Sequence, residues 1–117
     1  MPYMLLIVEP PGQRAERGLE GGKQAYAQML AFAEGLKARG VLRGVESLAS
    51  DAQGVRVQVR DGRASLVDGP FTEAKEMVGG FFLLDCATRD EAVVIAAACP
   101  AAAWCTVEVR EVGPCWS

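Results

Sequence analysis

The 117 residues suffice for one domain with one ordinary core; half are apolar and 23% charged, which excludes the composition of a disordered chain. A net charge of −3 and an isoelectric point near 4.9 argue against nucleic acid or an anionic membrane as partner, since both need clustered lysine and arginine. There is no histidine, and the four cysteines, Cys86, Cys99, Cys105 and Cys115, form no CxxC pair, so neither a metal nor a cofactor is expected.

Tyr3 to Val8 is apolar on both rows of a period-2 strand, with Tyr3, Leu5 and Ile7 on one and Met4, Leu6 and Val8 on the other; both faces need cover. No basic segment precedes this run and no small-residue cleavage site follows it, so it reads as a buried strand rather than a signal peptide. The apolar stretch Ala92 to Cys105 is too short to span a bilayer and contains Pro100, so a soluble, cytoplasmic protein is expected. Glu9 to Gly22, EPPGQRAERGLEGG, predicts a connection that is either mobile or folded over a site, and it carries Arg14 and Arg17. Gly22-Lys23 lacks the remaining residues of a phosphate loop and marks a helix entrance. From about Lys23 to Arg39, the residues Tyr26, Met29, Leu30, Ala33 and Leu36 form an apolar helical stripe that faces a sheet, with Gly40 as the stop. Val41 to Leu48 is the next strand. Val55, Val57 and Val59 then alternate with Arg56, Gln58 and Arg60 up to Asp61-Gly62, the signature of a hairpin returning through Ala64 to Val67.

Asp68 to Glu76, DGPFTEAKE, is the most specific stretch. Asp68-Gly69-Pro70 is turn chemistry, Phe71 is an anchor that pins the loop to the core, and Thr72 to Glu76 has the makings of one helical turn capped by Thr72. The charges of this stretch suit either a rigid connector or a site; in the second reading Asp68, Glu73, Lys75 and Glu76 are the catalytic candidates. After Gly79-Gly80, Phe81 to Leu84 is a second strand apolar on both faces. Thr88 to Glu91 is a capping box opening a helix of about Arg89 to Cys99, Thr106 to Val112 is a final strand, and Gly113 to Ser117 is a tail bearing Trp116. Cys86, Cys99 and Cys105 read as reduced core residues and Cys115 as exposed; without a histidine base, a cysteine nucleophile is disfavoured.

This order, β-α-β, a hairpin insertion, then β-α-β, predicts an α+β, ferredoxin-like split βαβ domain with both helices on one face of the sheet. The uncovered faces of the Tyr3 and Phe81 strands call for a second copy, hence a homodimer. A cleft near the DGPFTEAKE loop, lined by Tyr3, Phe71 and Phe82 with Arg56 and Arg60 as cations, is the expected place for a small-molecule ligand.

Tyr3 to Ile7 (YMLLI), Gly40 to Leu48 (GVLRGVESL), Val55 to Gly80 with DGPFTEAKE, Cys99-Pro100 and Val107 to Arg110 (VEVR) together resemble the YCII-related family, in the subgroup named for its DGPF motif, over nearly the whole chain. The resemblance implies a dimeric α+β barrel, assigns no activity, and implies for some members a neighbourhood of alternative sigma factors. The histidine-aspartate pair it implies for YciI-like relatives has no histidine here; Asp68 is the plausible counterpart of the aspartate. Two functions are therefore expected in competition. One is binding of a small polar or anionic metabolite with acid-base catalysis; the other is an accessory or sensor domain acting through protein contacts.

Overall fold

A computed structural model describes residues 2–116; Met1 and Ser117, the last residue of the predicted tail, lie outside the described residues. The strands β1 (Pro2–Glu9), β2 (Leu42–Ser47), β5 (Met77–Asp85) and β6 (Thr106–Glu111) form one antiparallel sheet in the order β2-β5-β1-β6, and β3 (Val55–Arg60) pairs with β4 (Arg63–Asp68) in a separate hairpin. Helices α1 (Gln13–Ala38) and α2 (Arg89–Ala98) make the two crossovers. This is the expected ferredoxin-like arrangement with its hairpin insertion.

The period-2 rows of the central strands decide which side the helices take. Tyr3, Leu5, Ile7, Phe82 and Leu84 are buried in one core with Ala33 and Leu36 of α1 and Ala92, Ile95 and Ala96 of α2. The opposite row, Met4, Leu6, Phe81 and Leu83, is only partly buried. The molecule measures 19 Å in its thinnest direction, the depth of one helix layer on one sheet. Every residue of β3 and β4 is exposed, including Val57, Val59 and Leu66 at 58%, 58% and 65%. Asp61 and Gly62 turn that hairpin with φ of 52° and 75°, as the Asp-Gly pair predicts.

Helix boundaries hold where a side chain or glycine dictates them. Glu91 N donates to Thr88 Oγ1 at 3.2 Å and Thr88 N to Glu91 Oε2 at 3.4 Å, so the capping box forms. Gly40, at φ 74°, closes α1 with Val41 N donating to the Leu36 carbonyl and Gly40 N to the Lys37 carbonyl. At its other end α1 corrects the expected loop: the chain is helical from Gln13, so most of the predicted Glu9 to Gly22 connection, and the expected helix entrance at Gly22-Lys23, lie inside the helix. The helix is broken once, at Gly18, where φ 74° and ψ 176° are open to glycine and turn the axis. Local glycine content suggested a loop, but tertiary contacts of Gln13, Arg14 and Arg17 hold the first turns in place.

Burial raises the thiol pKa of Cys86, Cys99 and Cys105, while Cys115 is exposed. Iodoacetamide near neutral pH should therefore alkylate Cys115 first. Mass spectrometry showing Cys99 modified as fast as Cys115 would contradict this placement.

Candidate functional site

The row Tyr3, Leu5, Ile7 continues by the same alternation to Glu9, a carboxylate only 7% exposed at the end of β1. An isolated charge there would be costly, and α1 supplies the partner. Arg14 donates from Nε to Glu9 Oε1 at 2.9 Å and from Nη2 to Oε2 at 2.8 Å; its Nη1 donates to the Leu48 carbonyl at 2.9 Å, and Nη2 also to the Gly79 carbonyl at 3.4 Å. The pair ties β1, α1, β5 and the end of β2 together. Hydrogen bonding to Glu9 raises the Arg14 pKa above its ordinary value, partly offset by burial, so Arg14 stays cationic.

Gly79 makes room for the pair. It is the extra residue of a bulge where β1 and β5 shift register between Ile7 and Val8, and a Cβ on it would lie 1.5 Å from Glu9 Oε2. Above this polar floor opens a cleft of about 1090 Å³ between the first half of α1 and the β2-β5 edge. Its walls include Leu19, Tyr26, Met29, Leu30 and Phe82, with Lys23 also in the lining and Arg17 and Trp104 together at one end. The apolar stripe predicted to face the sheet thus divides: Ala33 and Leu36 are buried on it, whereas Tyr26 and Leu30 remain 54% and 49% exposed and line the cleft.

At the cleft end, the Arg17 guanidinium lies over the Trp104 ring, 5.5 Å from its centroid. Gln13 Nε2 donates to the Trp104 carbonyl. Among the described residues, Arg17 Nη2 and Gln13 Oε1 are side-chain atoms shielded from solvent without a hydrogen-bond partner. No group of three or more His, Cys, Asp or Glu side chains that could hold a metal occurs among the described residues.

The residues expected to form the site are dispersed. Tyr3 and Phe82 belong to the helix-side core, Phe82 edge-on to Phe32 with ring centroids 5.5 Å apart; only Phe82 also reaches the cleft. Asp68, exposed, sits opposite Val55 at the hairpin base. Phe71 anchors on that base rather than in the core: Arg56 stacks on its ring at 3.9 Å and pairs with Glu73 at 3.3 Å, and Phe71 N donates to Asp51 Oδ2 at 3.4 Å. The Gly69 amide donates to the Gly54 carbonyl, and a Cβ on Gly69 would strike the Asp51 carbonyl oxygen, so the loop is docked on the Asp51–Gln53 turn. The expected helical turn at Thr72 to Glu76 is instead a tight turn closed by Ala74 N on the Phe71 carbonyl, with no helix for Thr72 to cap. Arg60, exposed on β3, donates to the Val59 carbonyl. Lys75 and Glu76 stand apart from these and line a hollow of about 360 Å³ that shares Glu9 and Trp104 with the larger cleft.

The class these features define is an α+β, ferredoxin-like domain covered by helices on one face and carrying a cleft with a charged floor. The YCII-related domain model matches residues 1–115, and the chain belongs to that family. The uncharacterized protein R00369 of Rhizobium meliloti (strain 1021) is 53% identical over 32 residues, 27% of this chain; the match spans about a quarter, 26%, of that protein's length. Among solved structures, the 5-chloro-2-hydroxyhydroquinone dehydrochlorinase TftG of Burkholderia phenoliruptrix AC1100, in complex with 2,5-dihydroxybenzoquinone, superposes with a TM-score of 0.54 at 19% identity, covering 97% of this chain and 94% of that one. The likeness extends to the fold. No helix among the described residues is long and apolar enough to cross a membrane.

Proposed function

We propose that this chain, acting as one YCII-related domain of the DGPF subgroup, binds a small polar or anionic metabolite and that the cleft over the Glu9-Arg14 pair receives it. The observation that carries this reading is the cleft itself: apolar walls around a few convergent polar groups on a floor fixed by a bidentate ion pair. That a protein of the same fold is known in complex with 2,5-dihydroxybenzoquinone agrees with a small-molecule ligand. Lys75 and Glu76, on the far side of Glu9, are the candidate acid-base groups closest to this floor. Asp68, Glu73, Arg56, Arg60 and Phe71 need a second copy to enclose a ligand, because in one copy the four charged residues lie open to solvent and Phe71 is only partly covered. A homodimer closing into an α+β barrel over Met4, Leu6, Phe81 and Leu83 would supply that enclosure.

Thermal-shift screening of a metabolite library, followed by amide chemical-shift mapping of each hit, tests the assignment. Shifts at Gly79, Gly80 and Tyr26 are expected. Shifts confined to Asp68 through Glu76 would move the site to the DGPF loop, and stabilising hits that disturb neither group would end the proposal. Sedimentation at micromolar concentration should show a dimer; a stable monomer refutes the barrel. A second reading, an accessory or sensor domain with a link to alternative sigma factors, draws on the exposed valines of the hairpin, which offer a surface for protein contacts.

A further inference from the structure

Two arginines on the same wall of the cleft, three residues apart on α1, have opposite duties. Arg14 has every nitrogen engaged: Nε and Nη2 on Glu9, Nη1 on the Leu48 carbonyl. Its charge is neutralised by a carboxylate that is itself buried, so it presents nothing to a ligand. Arg17 is the reverse. No carboxylate pairs with it among the described ion pairs, its guanidinium rests over Trp104, and its Nη2 is shielded from water with no acceptor.

An unpaired cationic N–H is unfavourable as it stands; Nη2 is closed off but Arg17 as a whole is only partly buried, so a ligand oxygen meeting its open side can draw the guanidinium round and satisfy it, and a planar guanidinium suits a carboxylate or phenolate oxygen. Gly21 contributes to the pose, because a Cβ there would lie 2.5 Å from Arg17 Cγ and would displace the side chain from its path toward Trp104. The surrounding wall of Leu19, Tyr26 and Leu30 is apolar, and outside the Glu9-Arg14 pair Lys23 is the one other cation among the described residues of the lining, which suits an apolar body with a single anionic group better than a polyphosphate.

We infer that Arg17 is the anion receptor of the cleft and that the ligand class is a mostly apolar molecule bearing one negatively charged oxygen group. This rests on the cleft being the ligand site. Arg14 and Glu9 are positioning residues that hold the wall from which Arg17 reaches.

Isothermal titration of the full chain with 2-naphthoate and with its neutral counterpart 2-naphthalenemethanol, combined with amide shift mapping, tests the assignment. Wild type should bind naphthoate more tightly than the alcohol. Arg17→Ala should weaken naphthoate by about tenfold or more while leaving the alcohol unchanged, and Arg17→Lys should restore part of the loss. Gly21→Ala, which keeps the charge and removes only its pose, should also weaken naphthoate, and it serves as the second variant if Arg17→Ala folds poorly. Equal affinity for the two compounds, or naphthoate binding unchanged in both variants, overturns the role of Arg17 and leaves the cleft as ligand site. Absence of any amide shift at Gly79, Gly80 or Tyr26 with either compound overturns both.

Discussion

Arg14→Ala should cost about 2–3 kcal/mol of folding stability and lower the melting temperature by roughly 10 °C. The substitution leaves the Glu9 carboxylate 7% exposed with no cation, and the Leu48 carbonyl without its side-chain donor. Removing one partner of a fully buried pair costs about 3–5 kcal/mol; the smaller figure here reflects an Arg14 side chain that is 35% exposed and partly screened by water. Gly79→Ala approaches the same pair from β5, since the new methyl would occupy the position of Glu9 Oε2, and should destabilise in the same direction. Glu9→Gln, which keeps the shape and drops the charge, should cost less than Arg14→Ala. The sign of the pH dependence follows from the raised pKa of Arg14: its share of stability is complete below the unfolded value and is lost only as pH rises through the folded one. Both lie in the guanidinium range, so the difference between wild type and Arg14→Ala owes no pH dependence to Arg14 itself between about pH 6 and 9. Chemical denaturation showing Arg14→Ala within about 0.5 kcal/mol of wild type would mean that the pair is not closed in solution.

Phe82→Ala should be the more damaging change, at about 3–5 kcal/mol, because it removes a ring from the centre of the core and leaves a cavity. Phe82 is 2% exposed, packs edge-on to Phe32 at an interplanar angle of 83°, and sits at the junction of the helix-side core and the cleft wall. Phe82→Leu preserves most of the volume and should cost below about 1.5 kcal/mol. A comparable loss for leucine and alanine would show that the edge-to-face geometry, not the filled volume, carries the stabilisation. Because the position borders the cleft, the alanine variant should also bind the bulkier members of a ligand series relatively better than wild type. Denaturant midpoints with unchanged slopes, read beside binding titrations, separate the two effects.

Phe82 and the Glu9-Arg14 pair differ in how far the amino-acid sequence reveals them. Phe82 lies in a run apolar on both faces, which marks an interior strand without further information. Glu9 went unmarked because it stands beside two prolines and reads as the first polar residue of a connection, although the alternation Tyr3, Leu5, Ile7 places it on the core row. Arg14 and Arg17 were visible as cations in a segment able to cover a site, but glycine-rich composition disguised a helix. The DGPF stretch stands out by its density of charge. Density alone does not show which charges the fold brings toward a cavity: Lys75 and Glu76 border the hollow behind Glu9, while Arg56 and Glu73 pair in the open beside Phe71.

What the sequence determined by itself is the local and periodic part: two strands apolar on both faces, a capping box at Thr88, an Asp-Gly hairpin, a glycine stop at position 40, and from their order the ferredoxin-like topology. These rest on interactions within a few residues or on simple alternation, and both are written linearly along the chain. The tertiary structure alone decided that Glu9 meets Arg14 beneath Gly79, that Arg17 meets Trp104, a residue distant from it along the chain, and that the first half of α1 stands off the sheet. Those outcomes depend on how α1 packs against β2 and the Pro100–Ala103 turn and on the bulge at Gly79. Packing of elements distant in the chain sets that geometry, and no local pattern encodes it.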